Sequence, residues 1–170
     1  MVATVGVFVY TSTNAATESG GAQTGVDLIS ADNATNSSGN RSSNPVVAGT
    51  NSFEKHIRLK LTVAPAVSVG NIKFWTDAAG QANVGLRAKL NVGTGGATPG
   101  TGDTTPSATA MTGDADAYTY TSGAKGTWDA GTYSTLNNVT KAALLQLQPT
   151  GAASPGAWTQ ETLNYSYDEI

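Results

Sequence analysis

The chain has 170 residues and a net charge of −3, and only 12% of its residues are charged, against about a quarter in ordinary globular proteins. It contains no cysteine, which excludes disulfides, iron–sulfur clusters, thiolate metal sites and cysteine nucleophiles. It has no apolar run long enough to span a bilayer and no start that resembles a signal peptide, so we expect neither a membrane protein nor a secreted protein. It has no basic run, so we do not expect a nucleic-acid binder.

The first predicted element is a strand over residues 2–11. Its two faces are both apolar, with Val5, Val7 and Val9 on one side and Phe8 and Tyr10 on the other. A strand of this kind is either central in a sheet or covered by another molecule, because an exposed apolar edge strand would pair with the strands of other molecules and cause aggregation. A second short apolar segment follows at residues 26–29.

The clearest alternation runs through residues 53–63, where apolar side chains occupy most of the odd positions. Polar and charged side chains, among them His56, Arg58 and Lys60, occupy the even positions. A period of two predicts a half-buried strand with a polar outer face. We therefore expect His56, the only histidine, at a surface or an interface, and not as a catalytic base or a metal ligand.

Similar patterns predict further strands. Residues 84–92 alternate over their whole length and place Arg87 and Lys89 on the polar face. Shorter candidates lie at 72–75, 118–121, 144–148 and 162–167. About eight strands separated by turns, with almost no helix, are typical of an antiparallel β-sandwich or jelly roll. The predicted fold class is therefore all-β.

Long stretches of small residues separate the strands, most clearly at residues 31–51 and 93–116. Loops of this length are unusual in a compact domain unless they are functional or held by a neighbour. We predict an N-terminal strand or arm with its linker over residues 1–25, and a β-sandwich domain with long Gly/Thr/Ala-rich loops over residues 26–170. The low charge favours packing against other copies, because few charges must be desolvated.

The sequence offers little catalytic chemistry. A Ser-His-Asp hydrolase needs the single histidine, and no Gly-x-Ser-x-Gly turn is present to position a serine. Asp103, Asp114 and Asp116 offer oxygens to Ca²⁺ but lack the spacing of a calcium loop. The glycines of residues 93–102 lack the Lys-Ser/Thr of a phosphate loop. We predict no catalytic residue, no metal and no cofactor.

The basic residues are concentrated in the predicted central strands. Six of the nine fall between positions 54 and 90, where the only acids are Glu54 and Asp77. This polar face is either solvated or docked on acidic groups, supplied by Glu161, Asp168 and Glu169 of the C-terminal segment or by another subunit. The candidate interface residues are Val5, Val7, Val9, Arg58, Lys60, Arg87 and Lys89.

Two regions of the sequence resemble a known group of proteins. Residues 51–61 and 69–75, together with the C-terminal stretches 145–149, 152–156 and 163–169, are similar to jelly-roll minor structural proteins of tailed bacteriophages, such as capsid decoration or cement proteins. The stretches that carry the resemblance comprise 35 of the 170 residues.

This resemblance implies a non-enzymatic virion protein that is synthesised in the host cytoplasm. Such a protein sits on the capsid surface, contacts the major capsid protein and stabilises the shell by bridging its subunits. Self-association, with a trimer as one form, is implied by the resemblance alone. In this interpretation residues 2–10 pair with a neighbouring molecule through main-chain hydrogen bonds.

Other functions stay open on sequence alone. A tail or head-fibre component of a virion has the same sequence properties. A carbohydrate-binding β-sandwich stacks sugars on aromatic rings, for which the candidates are Trp75, Trp128, Trp158, Tyr118 and Tyr120. A sugar platform needs two coplanar rings on one surface, whereas a decoration protein needs its aromatic residues buried or at subunit contacts. An enzyme is the third alternative, although no site supports it.

Overall fold

A computed structural model describes residues 2–33, 37–77, 83–92, 98–101, 103–154 and 161–170. Its strands are β1 (Thr4–Thr11), β2 (Thr17–Glu18), β3 (Lys55–Val63), β4 (Val69–Thr76), β5 (Val84–Val92), β6 (Ala115–Asp116), β7 (Gly126–Asp129), β8 (Ala142–Pro149) and β9 (Leu163–Glu169). The larger sheet has the order β2-β1-β3-β8-β5-β6, and the smaller sheet has the order β7-β4-β9. A short helix, α1 (Ser38–Ser43), and two 3-10 turns complete the described elements.

The core lies between the two sheets. Ile57 and Leu59 of β3 share one buried cluster with Phe74 of β4 and Trp128 of β7. Trp128 meets Phe74 edge-on, with ring centroids 6.2 Å apart. The strand pairs of the described residues are all antiparallel. The predicted all-β antiparallel sandwich is therefore confirmed, while the jelly-roll arrangement within that class stays a prediction.

Most predicted strands are present. The strand over residues 84–92 is confirmed at both ends, and β1, β3, β4, β8 and β9 begin and end within three residues of their predicted bounds. The strand predicted at 118–121 is wrong, because Asp116 caps a 3-10 turn there by accepting a hydrogen bond from the Tyr118 N–H. Residues 26–29 form no strand, and β7 is too short to be recognised by its alternation.

The N-terminal residues form a strand of the larger sheet. β1 pairs with β3 along nearly its whole length. On the other edge of β1, the carbonyl of Val9 accepts a hydrogen bond from the Ser19 N–H at 2.8 Å, and the carbonyl of Val7 accepts one from the Gln23 N–H at 2.7 Å. The segment that follows β1 therefore closes this edge from within the chain.

Two tyrosines of β9 close the rest of the same edge. The hydroxyl of Tyr165 donates to the carbonyl of Val5, and that of Tyr167 donates to the carbonyl of Ala3. These contacts correct the expectation that residues 2–10 pair with a neighbouring molecule, because the outward carbonyls of β1 are already used. β1 and β3 belong to one sheet, and the division into residues 1–25 and 26–170 stays a prediction.

Candidate interaction surfaces

The outer face of the larger sheet, which we expected to be a basic docking surface, is covered at its centre. His56 is 0% exposed and Arg58 is 1% exposed, so the predicted surface positions of both residues are wrong. The cover is a loop that we call the strap, residues 98–101 and 103–112. The strap lies on the side of the sheet that faces away from the sandwich core.

Hydrogen bonds fasten the strap to the sheet. The Glu54 N–H donates to the carbonyl of Ser107 at 2.8 Å. The buried Gln146 side chain binds two further strap residues: its Oε1 accepts from the Met111 N–H at 2.8 Å, and its Nε2 donates to the Thr109 carbonyl at 2.9 Å. Part of the predicted Gly/Thr-rich loop is therefore held in place by its own chain.

A buried ion pair adds a third attachment. Arg58 Nη2 lies 2.7 Å and 2.6 Å from the two carboxylate oxygens of Asp103 in the strap, and Nη1 donates to the carbonyl of Thr140. The Arg58 guanidinium also lies over the Tyr10 ring, 5.6 Å from its centroid. Because both charged side chains are almost fully buried, Arg58 is part of the interior and not of an interface.

The other basic residues of this face also have acidic neighbours within the chain: Lys60 with Glu18, Lys89 with Asp114, and Arg87 opposite Asp116. The Lys60–Glu18 distance is 2.9 Å, and the more exposed Lys89–Asp114 distance is 3.6 Å. These acids do not belong to the C-terminal segment, which corrects the expected source of the partners. The interface role of Lys60, Arg87 and Lys89 stays a prediction.

The candidate valines of β1 point toward the sandwich core. Val9 is fully buried, while Val5 and Val7 are half-buried and pack against the core cluster. Val9 is therefore not available to a partner, and an interface role for Val5 and Val7 stays a prediction. β1 is apolar on both faces because Phe8 and Tyr10 form a second small cluster on the outer side.

Lys55 anchors another loop at the start of β3. Its side chain is buried, and Nζ donates to the carbonyls of Ala31 and Asn33 at 2.8 Å and 2.9 Å. Burial lowers the pKa of Lys55 to about 8, although the nearby carboxylates of Asp32 and Asp27 oppose this shift. The lysine therefore holds the loop that precedes residue 34 against the sheet.

A polar cleft of about 430 Å³ lies between the strap and the sheet, and Glu54, Lys89 and Asp114 are among its lining residues. His56 Nε2 lies 3.5 Å from Glu54 Oε2, and neither ring nitrogen of His56 has a hydrogen-bond partner among the described residues. Because His56 is buried beneath this surface, its ring does not reach a molecule in the cleft, as a general base must.

The three aspartates considered as Ca²⁺ ligands each have a different partner within the chain. Asp103 binds Arg58, Asp114 lies near Lys89, and Asp116 caps the turn that contains Tyr118. Among the described residues, no three His, Asp or Glu side chains are grouped so as to hold a metal ion.

Among the described residues, the close aromatic pairs do not form the coplanar platform expected of a sugar-binding protein. Trp128 is buried, and its indole N–H donates to the carbonyl of Lys141. The close ring pairs of the described residues meet at 80–86°, so they are edge-on and not coplanar. Lys125 Nζ lies over the Trp75 ring, 4.1 Å from its centroid. Trp158 lies outside the described residues.

Exposed apolar side chains concentrate at one end of the sandwich, where β1 and β4 begin and β3 and β9 end. We call this set the apolar end: Val2 is 77% exposed, Val67 and Ile170 are 65% exposed, and Leu136 is 50% exposed. Hydrogen bonds in both directions between the Ser68 and Ile170 backbones bring Val67 and Ile170 together. The one other large apolar side chain exposed in the described residues, Val47, belongs to the opposite end.

The charge of the apolar end is negative. The segments that form it, residues 2–4, 61–69, 130–138 and 167–170, contain no lysine, arginine or histidine. Their only charged side chains are the carboxylates of Asp168 and Glu169, both on exposed residues. An apolar contact at this end is therefore bordered by acidic groups.

The outer face of the smaller sheet carries charges of both signs, because Asp168 follows Asn164 and Ser166 at the outward positions of β9. We call it the Trp75 face, formed by Lys73, Trp75, Lys125, Thr127, Asn164, Ser166 and Asp168. The register of β4 with β9 places Lys73 and Trp75 on the side away from the core. Lys73 Nζ donates to Thr127 Oγ1 at 3.0 Å. The face thus combines a half-buried tryptophan with two ammonium groups.

Comparisons with known proteins identify no relative. No protein-family model matches the sequence, and no curated protein or solved structure matches the chain. The helices of the described residues include none that is long and apolar enough to cross a membrane. A functional proposal therefore depends on the surfaces described above.

Proposed function

We propose that this protein is a non-enzymatic structural component of a virion, which decorates a phage capsid and stabilises it by bridging major capsid subunits. The observation that carries this proposal is the apolar end, which gathers four of the five exposed large apolar side chains of the described residues. A concentration of exposed apolar surface on a folded protein marks a contact site. The partner in this proposal is the one that the sequence resemblance implies.

The rest of the surface supports a role in assembly. Several of the few charged side chains are neutralised within the chain, as Arg58 and Lys60 are by Asp103 and Glu18. A surface rich in hydroxyl and amide groups requires little desolvation of charge when it is covered. Apolar burial contributes about 25 cal/mol per Å², so a few hundred Å² add several kcal/mol per site before ordering costs. Repetition over a shell multiplies this stabilisation.

The proposal is tested by the composition of native particles. Particles from cells that produce this protein are purified, and mass spectrometry and electron microscopy measure its copy ratio to the major shell protein. We expect about one copy per capsid subunit or per local symmetry axis. A few copies per particle indicate a tail or fibre component instead, and absence from all particles overturns the proposal.

A pair of variants tests the surface itself. Leu136→Asp places a charge in the apolar end and is expected to weaken binding to purified shells at least tenfold, equivalent to about 1.4 kcal/mol. Val47→Asp is the matched control, because it introduces the same group at an exposed position on the opposite end. If the two variants bind equally well, the apolar end is not the docking surface.

A further inference from the structure

We propose that two copies of this chain pair through the outer edge of β9, so that the smaller sheets of both copies join into one continuous antiparallel sheet. A two-fold axis at Ser166 relates the two copies. This inference goes beyond the proposed function, because the contact joins two copies of the chain and needs no capsid. It uses the backbone edge of β9 and not the exposed apolar side chains of the apolar end.

β9 is the longest strand edge that the described residues leave open. β4 occupies one side of this seven-residue strand, and no described strand pairs with the other side. The remaining edge strands, β2, β6 and β7, have only two to four residues. Natural proteins discourage pairing with other chains by keeping edge strands short or by placing lysine or proline in them. β9 contains neither residue, so its edge is suited to pairing.

The hydrogen bonds between β9 and β4 show which main-chain groups are directed to the open edge. Ser68 and Ile170 exchange backbone hydrogen bonds in both directions, and the Asp77 N–H donates to the carbonyl of Thr162 at 3.4 Å. Because these groups alternate along a strand, the even-numbered residues of β9 bond toward β4 and the odd-numbered residues are directed away from it. Four residues therefore present N–H and C=O groups at the open edge, where no described residue binds them: Leu163, Tyr165, Tyr167 and Glu169.

A two-fold axis at Ser166 brings these groups into register with the same groups of a second copy. It places Tyr165 opposite Tyr167 of the second copy, and Leu163 opposite Glu169. Residues whose main-chain groups are directed outward thus lie opposite one another, as the hydrogen-bonded pairs of an antiparallel ladder require. No two like charges lie opposite each other in this register, because Glu169 meets an apolar side chain.

The side chain of Asn164 is the reason to expect a second copy here and not another extended segment. Its Nδ2 is buried and has no hydrogen-bond partner among the described residues. In this register Asn164 lies opposite Asp168 of the second copy, on the same face of the joined sheet, with Cβ atoms about 5 Å apart. One carboxylate oxygen of Asp168 accepts from Asn71 Nδ2 at 2.7 Å, and the other oxygen accepts from Asn164 of the second copy. The two-fold axis makes this new hydrogen bond twice.

The symmetry of the contact determines the assembly. Each copy contributes the same edge, so the contact is isologous and closes at a dimer. The paired strands run in opposite directions, so the two apolar ends lie at opposite ends of the joined sheet. A dimer of this kind has two identical contact sites that point away from each other.

Charge variants at the two-fold axis test the contact. The axis places Ser166 opposite itself, so Ser166→Asp or Ser166→Lys alone brings like charges together. We expect the original chain to form a dimer in sedimentation velocity, each variant alone to dimerise at least tenfold more weakly, and a mixture of the two variants to dimerise again. Thr127→Asp is the matched control, because Thr127 neighbours the same Lys73 on the same face but lies on β7, at the opposite edge of the sheet.

A single cysteine tests the register directly, because the chain contains no other cysteine. The even-numbered residues form the non-hydrogen-bonded pairs of the proposed contact, with Cα atoms about 4.5 Å apart, which lies within the range of a disulfide. Mild oxidation of Ser166→Cys is expected to give a disulfide-linked dimer on a non-reducing gel. Thr127→Cys is the control and is expected to stay monomeric on the gel.

Asn164→Ala adds a test that introduces no charge. It removes the unpaired donor, so the folded monomer loses no hydrogen bond, whereas the dimer loses two. We expect at least tenfold weaker dimerisation without a lower midpoint of urea denaturation, measured at a concentration where the chain is monomeric. Circular dichroism establishes that every variant is folded, and Asn164→Ala replaces a Ser166 variant that is not.

The outcomes separate this inference from the proposed function. A dimer that the Ser166 charges weaken, that their mixture restores and that Ser166→Cys cross-links supports the β9 contact. A chain that is monomeric at every concentration overturns it, as does a dimer that the Ser166 and Asn164 variants leave intact. A monomer that binds shells through the β9 edge also overturns it, because the edge then belongs to a capsid segment, and the proposed function stands. A dimer that binds no shell leaves only this inference.

Discussion

The outer faces of the two sheets show how similar strand patterns lead to opposite environments. On the larger sheet, Asp103 of the strap binds the buried Arg58, whose strand alternates charged and apolar residues. On the smaller sheet, Lys73 and Trp75 stay partly exposed on a strand with a related pattern. The strand sequence sets which side chains face outward, but a distant loop decides whether that face is interior or surface.

This difference has energetic consequences. Polar groups of a covered face must find partners inside the protein, because an unpaired buried charge is costly. Arg58 meets this requirement with Asp103, and Gln146 meets it with strap backbone groups. Side chains of the open face keep contact with water and are therefore free to make weak contacts or to bind another molecule.

The largest expected effect comes from removing the buried acid of the covered face. Asp103→Ala leaves the Arg58 guanidinium buried without its carboxylate, so the free energy of unfolding is expected to fall by about 3–5 kcal/mol. Urea denaturation measures the change. The double variant Arg58→Met with Asp103→Leu is the control, because replacement of a buried ion pair by apolar side chains of similar size is often neutral. A loss below about 1 kcal/mol in Asp103→Ala would contradict the buried pair.

The contrast between the faces also marks what the sequence could predict. β5 follows directly from its alternation, because strand geometry places successive side chains on opposite sides of the sheet. The burial of Arg58 could not be predicted in this way. Its partner Asp103 lies 45 positions away in a loop without periodicity, and only the folded path of that loop brings the two charges together.

The apolar end was missed for a related reason. Its members, Val2, Val67, Leu136 and Ile170, come from four separate segments of the chain. In each segment a single exposed apolar residue looks like ordinary surface. The sheet topology alone gathers them at one end, so local sequence carries no signal for this surface.

The stability of the protein should also respond to pH through the buried Lys55 at the start of β3. Its pKa of about 8 lies below the ordinary value of 10.5, so between these values the unfolded chain binds more protons than the folded chain. Stability therefore rises with pH through this window, and the contribution is lost again as the pH falls through 8. We expect a gain of about 2 kcal/mol between pH 8 and 10, at about 1.4 kcal/mol per pKa unit.

Buried tyrosines limit this rise. Burial raises the pKa of Tyr10 and Tyr133, helped by their hydrogen bonds to Glu18 and Asp129. The unfolded chain therefore loses tyrosine protons first, and stability falls above pH 10. Urea denaturation across pH 7–11 tests both limbs. Lys55→Met is expected to remove the rise in stability between pH 8 and 10 and to keep the fall above pH 10. If the rise is unchanged in this variant, a group other than Lys55 causes it.

The smallest expected effect lies on the open face, where a cation also sits over an aromatic ring. Lys125 Nζ is 4.1 Å from the Trp75 centroid, closer than the 5.6 Å of Arg58 from Tyr10. Distance alone would make the Lys125 contact the stronger one. Because it is exposed to water, however, such a contact contributes only about 0.5–1 kcal/mol, and salt screens it. Lys125→Ala is therefore expected to lower the free energy of unfolding by no more than this, measured at a protein concentration where the chain is monomeric. A loss above about 2 kcal/mol would mean that the Trp75 face is as desolvated as the face beneath the strap, and that the two faces do not differ in the way proposed.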